Sequence, residues 1–164
     1  MPLPLARLAP LVLAAALAAP APAAALSCAK PDDLSAMRVG VIAAVNAQRR
    51  AHGLPALAPS AKLEKAAQRH ACDIAWQQSY SHYGSDGSDL RARVKRAGYR
   101  LRMAAENTAR GFRSADEVVR FWMQSPKHRA NILMRGTRDI GLGQAYHDRS
   151  GGKRHWVLVV GKSG

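Results

Sequence analysis

Two histidines and one glutamate stand in three short segments dense in polar and aromatic side chains. The segments are Ser81-His82-Tyr83, Ala105-Glu106-Asn107-Thr108-Ala109 and Trp122-Met123-Gln124-Ser125-Pro126-Lys127-His128-Arg129-Ala130-Asn131. A fold that gathers them makes one small cavity holding two imidazoles and a carboxylate. Such a set can hold a divalent metal or hydrogen-bond a polar ligand. Glu106 is one of only three glutamates in the chain. Glu64 falls on the exposed side of a helix and Glu117 in a capping box, whereas Glu106 follows the apolar run Met103-Ala104-Ala105. A buried carboxylate requires partners, and His82 and His128 are the expected ones. His128 sits in the first turn of a helix opened by Ser125 and Pro126, where the positive helix end keeps imidazole neutral and its lone pair free. His82 precedes a glycine-rich turn, and its neighbour Tyr83 can wall the cavity.

The remaining candidates have structural roles open to them. His70 lies on the apolar stripe of its helix and reads as a core histidine, while His147 and His155 flank a turn and read as solvated. Ser125 and Ser81 lack an evident base. No H-E-x-x-H, P-loop or G-x-S-x-G pattern occurs. The constellation therefore points to a site more readily than to a reaction.

Several elements must position these residues. Residues 1–25 read as a signal peptide, with Arg7, the apolar run Leu11–Leu17 and the small-residue cleavage site Ala23-Ala24-Ala25. Pro10, Pro20 and Pro22 interrupt that run, which falls short of the ~20 apolar residues a spanning helix needs. Export to the periplasm or the exterior follows, with no membrane-spanning segment. Residues 26–36 form an N-terminal leader and 37–163 a single domain of one core. Cys28 and Cys72 are the only cysteines, and in an exported chain they read as one disulfide. Leu26-Ser27-Cys28 carries part of a lipobox, but its leucine stands one place too close to the cysteine.

Helical spacing runs from Leu34 to His52, and again after the cap Ser60, where Leu63, Ala66, Ala67, His70, Ile74 and Ala75 form a stripe. Leu54–Pro59 reads as an extended connector. A short basic helix covers Asp89–Ala97 and ends at Gly98; Tyr99–Ala104 reads as a strand. Ser114-Ala115-Asp116-Glu117 is a capping box opening a helix that buries Val118, Phe121 and Trp122. Ser125-Pro126 starts another helix. Ile140–Tyr146 and Trp156–Val160 flank Ser150-Gly151-Gly152 as a hairpin. Helices first and an antiparallel sheet last argue an α+β layered domain.

The formal net charge is +14, densest in Arg91, Arg93, Lys95, Arg96, Arg100 and Arg102, which read as a solvated basic surface. Export, and the absence of aromatic residues interleaved with that charge, turn the reading away from nucleic acid. Anionic lipid headgroups or envelope glycan are the partners such a surface meets outside the cell.

The residues from Met37 to Val160 resemble the CAP superfamily, or SCP domain, of pathogenesis-related 1 proteins, antigen 5 and cysteine-rich secretory proteins, in a bacterial form. Val45-Asn46-Ala47-Gln48-Arg49, Ser81-His82, Gly98-Tyr99, Glu106-Asn107, Ser125-x-x-His128-Arg129-x-Asn131-Ile132-Leu133, Gly141-x-Gly143 and Trp156 carry the resemblance. It implies an α-β-α sandwich with a three-stranded antiparallel sheet between helices. It also implies a central cavity with two histidines and usually two acids, sometimes occupied by zinc. His82 and His128 correspond to the two histidines, and Glu106 with Asn107 to the Glu-Asn motif. The second acid, three residues after a tryptophan, is here Ser125, so a hydroxyl or a water replaces a carboxylate. The expectation is an exported, monomeric binding module whose cavity is built by His82, Tyr83, Glu106, Asn107, Ser125 and His128. The alternative is a metal-dependent hydrolase with zinc on His82, His128 and Glu106.

Overall fold

The computed structural model describes residues 28–148 and 151–164. The expected signal peptide at 1–25 lies outside the described residues, as do residues 26–27 of the leader and Ser150 of the hairpin turn.

The helices form where apolar spacing and caps direct them. Helix α1 spans Leu34–Ala51 and buries Leu34, Val41 and Val45. Arg49 continues that face, fully buried, because its guanidinium donates to the carbonyls of Pro55, Ile132 and Met134. Helix α2, Ala61–Trp76, starts on the Ser60 hydroxyl, which accepts from the Leu63 N–H, and its predicted stripe is buried throughout. Helix α3 is Leu90–Arg96, capped by Asp89. Helix α4, Ala115–Gln124, carries the Ser114/Glu117 capping box, and α5 is Pro126–Ile132 with proline in its first turn.

The sheet is larger than expected. Strands β2 (Leu101–Arg110), β3 (Asp139–Ala145) and β4 (His155–Ser163) pair antiparallel, and the two-residue β1 (Ala58–Pro59) adds in parallel to β3, in the order β1-β3-β4-β2. The connector becomes a strand because the Asn46 amide ties both backbone groups of Leu57, while Ala58 and Ser60 donate to Arg138 and Ile140. Strand β2 begins later and runs further than Tyr99–Ala104. Its second half alternates polar side chains, Glu106, Thr108 and Arg110, toward a buried polar face, so the expected apolar alternation is missing.

Helices α2 and α3 cover one face of the sheet, with Leu63, Ala67, Ile74 and Val94 against Val157 and Val159. Helices α1 and α4 cover the other, with Val41, Val45, Val118 and Trp122 against Ile140, Leu142, Trp156 and Leu158. The layers form the α-β-α sandwich. Gly141 and Gly143 set the spacing on the α2 side, since a Cβ at either would overlap α2 backbone at Leu63–Glu64 or Ala67–Gln68. Gly143→Ala should therefore destabilise by at least the ~1–3 kcal/mol typical of overpacking, measured by urea unfolding. A change below 0.5 kcal/mol, roughly a surface-mutation effect, would show that α2 can back away freely.

Cys28 and Cys72 are bonded, and Ala29 forms a bridge with Tyr146, so the first described residues are tied to α2 and to β3's exit. Among the described residues no helix is long and apolar enough to cross a membrane.

Candidate functional site

The site forms at the free edge of the sheet. Register places the backbone groups of Glu106, Thr108 and Arg110 on the side of β2 away from β4. Two of these edge carbonyls are capped by side chains: Asn131 donates to Glu106 and the Trp122 indole to Thr108. The Asn131 amide also donates to the Asn107 side-chain oxygen Oδ1, and the Asn107 side-chain amide in turn donates to the backbone carbonyl of His128. These bonds pin α5, and with it His128, against the middle of β2.

His82 is held from the opposite side. Five consecutive carbonyls of the loop after α2 each accept from a separate side chain. Arg110 donates to Gln78, His155 to Ser79, Thr108 to Tyr80, His70 to Ser81 and Arg93 to His82, over 2.9–3.3 Å. A loop without regular structure thus has its polar backbone satisfied by a fixed template. That template explains two buried histidines. His155 is fully buried, not solvated as its place near the turn suggested, and His70 is buried as expected. Both serve as donors to the loop.

Glu106 lies at the base of the site, and its principal partner is one the sequence reading passed over. Arg93 Nη2 donates to both Glu106 oxygens at 2.8 and 3.0 Å, and Arg93 Nη1 reaches the carbonyls of His82 and Ser88. Arg93 is therefore a buried structural cation, not part of the solvated basic surface. The signal was present: Leu90, Arg93, Val94 and Ala97 share one helical face, and that face is apolar apart from the arginine. His82 Nδ1 donates to Glu106 Oε1 at 3.0 Å, and His70 Nε2 stands 3.7 Å from the same oxygen. An ionised carboxylate only accepts, so the His82 Nδ1 that faces it carries a proton.

His82 and His128 line the same cleft of about 380 Å³ with Tyr80, Thr108, Ala109, Arg110, Phe112 and Phe121. The floor is polar and the walls are aromatic. Phe121 is partly exposed because it forms this wall, where the sequence had placed it in the core; it stacks near Phe112 and His128 with ring centres 4.7 and 5.8 Å away. His128 Nδ1 is buried without a hydrogen-bond partner. Burial, and secondarily the His82 charge, lower its pKa. The direction is the one expected, but burial rather than the helix terminus leads. Tyr83, Glu106, Asn107 and Ser125 are not among the lining residues: Tyr83 is exposed, Glu106 is buried on Arg93 and reaches the cleft only through His82, Asn107 fixes α5, and the Ser125 carbonyl accepts from Arg129. Tyr80 occupies the position expected of Tyr83.

The residues do not fit zinc as a three-ligand set. Both Glu106 oxygens face a guanidinium, which repels a second cation at the same place. Among the described residues no three of His, Cys, Asp and Glu are grouped to hold a metal ion.

His155 yields a pH prediction. Burial first, then the Arg110 charge, push its pKa from 6.5 down to about 4, against the Ser79 carbonyl, which raises it. The unfolded chain takes up a proton below its ordinary pKa while the folded chain does not. Stability should therefore fall as pH drops through the window from ~6.5 to ~4, by about 3 kcal/mol from this group. Denaturant unfolding at pH 7 and pH 4.5 should show a markedly smaller pH loss in His155→Gln; an unchanged loss would contradict the assignment.

The comparisons with known proteins come down on one family. The model of the Cysteine-rich secretory protein family, CAP, matches residues 42–160. An uncharacterized protein of Bacillus subtilis (strain 168), YkwD, is 32% identical over 113 residues, 69% of this chain. The match spans only 44% of that relative's length. Among solved structures, an outer surface protein of Borrelia burgdorferi superposes with a TM-score of 0.74 at 21% identity, over 84% of this chain and 99% of the other. An extracellular protein of Bacillus anthracis containing an SCP domain superposes with a TM-score of 0.68 at 23% identity, over 79% of this chain and 41% of the other. At these identities the two structures show the shared fold.

Proposed function

As a member of the cysteine-rich secretory protein (CAP) family, the chain is, we propose, an exported binding module that takes an amphipathic anionic ligand in the His82/His128 cleft without covalent chemistry. The observation that carries this reading is the division of labour within the site. Glu106 has both oxygens occupied by Arg93 and is not presented as a base. The cleft above it joins aromatic walls to a floor of His82, His128 and Arg110. An apolar pocket with a few convergent polar groups is the usual form of a small-ligand site.

The hydrolase alternative needs a nucleophile or an activated water. The one hydroxyl on the floor, Thr108 Oγ1, donates to Tyr80, and zinc lacks its third ligand. Export is supported by the disulfide, which belongs to oxidising compartments, and by the leader composition. The ligand head is anionic because the chain is strongly basic and the floor carries Arg110. A phosphate-headed lipid of the envelope satisfies both halves of the cleft.

Isothermal titration with dodecyl phosphate, below its micelle concentration, tests the reading. Binding should weaken about tenfold in Phe121→Ala, equivalent to ~1.4 kcal/mol. It should also fall between low salt and ~0.15 M, where the Debye length is ~8 Å, and persist in chelator. Equal binding of dodecyl maltoside, or none of either, would refute the anionic-lipid reading. Hydrolysis of esters or peptides lost on chelation would favour the alternative.

A further inference from the structure

The same edge strand has a second open stretch, away from the His/Glu cleft. Gly161 on β4 turns its carbonyl to Arg138, so Ala104, which faces Gly161 in the register, turns its own N–H and carbonyl outward. Arg102 is the extra residue between the Leu101 and Met103 pairs and stands outside the β2–β4 register. Neither backbone is capped by any side chain among the described residues, in contrast to Glu106 and Thr108. This stretch forms the floor of a groove of about 400 Å³. Leu90 and Arg91 of α3 flank one side and Met103 and Met134 the other. Asp89, also in the groove, is engaged as the cap of α3 through the Ala92 N–H.

We propose that this groove receives an acidic peptide segment in extended conformation, which adds as a short strand to β2 at Arg102–Ala104. Strand addition supplies main-chain hydrogen bonds, and side-chain pockets on alternate faces supply selectivity. Here the pockets are apolar, formed by Leu90 and Met134, and Arg91 and Arg102 provide charge for acidic residues at the rim. A second copy of this chain is a poor occupant, because it would bring like-charged edges together in a molecule of formal charge +14. The competing view is that Arg102 guards an edge against any pairing, as charged edge residues often do.

The probe is an acetylated seven-residue peptide of alternating valine and glutamate, titrated into 15N-labelled wild-type protein at low salt. The Arg102 and Ala104 amide signals should shift, and their hydrogen exchange should slow at saturation. Affinity should drop at least tenfold for the same peptide N-methylated at its strand-pairing amides, and for the charge reversal Arg91→Glu/Arg102→Glu. Folding of that variant is checked by its otherwise unchanged amide spectrum, and the N-methylated peptide tests pairing on the wild type regardless. Equal binding of the N-methylated peptide, equal shifts from inorganic polyphosphate, or no shift at Ala104 would each overturn the proposal.

Discussion

Arg93→Ala is expected to destabilise the protein by about 3–5 kcal/mol, the range for removing one partner of a buried ion pair. Glu106 and Arg93 are both buried, so the substitution leaves a carboxylate with His82 as its remaining close donor. It also frees the carbonyl of His82 and leaves that of Ser88 with the Gly84 N–H alone. The cost should exceed that of Glu106→Gln, which keeps the volume and removes the charge. Combining the two substitutions should recover part of the Arg93→Ala loss, because no unpaired carboxylate then remains. A double-mutant cycle by urea unfolding measures this coupling directly. A cost under 1 kcal/mol for Arg93→Ala, about the effect of a surface ion pair, would mean that water reaches Glu106 and that the clamp is not structural.

Loss of the disulfide is the second large effect. Cys28 and Cys72 are 44 residues apart, and on the chain-entropy model closing such a loop stabilises by ~4 kcal/mol. The bond also holds the segment that pairs Ala29 with Tyr146. The Cys28→Ser/Cys72→Ser variant should therefore unfold at clearly lower denaturant, with the difference vanishing when the wild type is fully reduced. Thiol titration of native, unreduced protein should find neither cysteine free. Two free thiols would remove both the bond and its support for export.

Much of this architecture was legible because it depends on local chemistry. The α2 stripe, the Ser60 cap and the Ser114/Glu117 box are each decided within one or two helical turns, and each appears where the residues place it. The disulfide followed from there being only two cysteines. His82, Glu106 and His128 could be singled out because few residue types bind polar ligands. Their relations could not be. The carboxylate's main partner, Arg93, stood within a run of basic residues whose average character is solvated. Only its place on the Leu90–Val94–Ala97 face marked it as inward. The clamp on the 78–82 carbonyls joins five residues from four separate elements, so no spacing in the sequence announces it. It made His155 a buried donor although its neighbourhood, next to a glycine-rich turn, suggested solvent. Phe121 matched a core position by periodicity, but a pocket wall has the same period as a core. The β2 strand was truncated in the reading because its inward face is polar, and the alternation that identifies strands is usually apolar.

On the proposed function, ligand binds in the His82/His128 cleft, and Glu106 sets the tautomer of His82 without acting as a base. Imidazole 15N–1H correlation spectra of the wild type, recorded with increasing dodecyl phosphate, test it most directly. At pH 8, above the ordinary imidazole range, free His82 should show a protonated Nδ1 and a bare Nε2. Saturation should move the His82 and His128 ring signals together while those of His52 and His147 stay fixed. A neutral His82 with its proton on Nε2 and a bare Nδ1, or ligand-induced shifts confined to histidines outside the cleft, would overturn this reading.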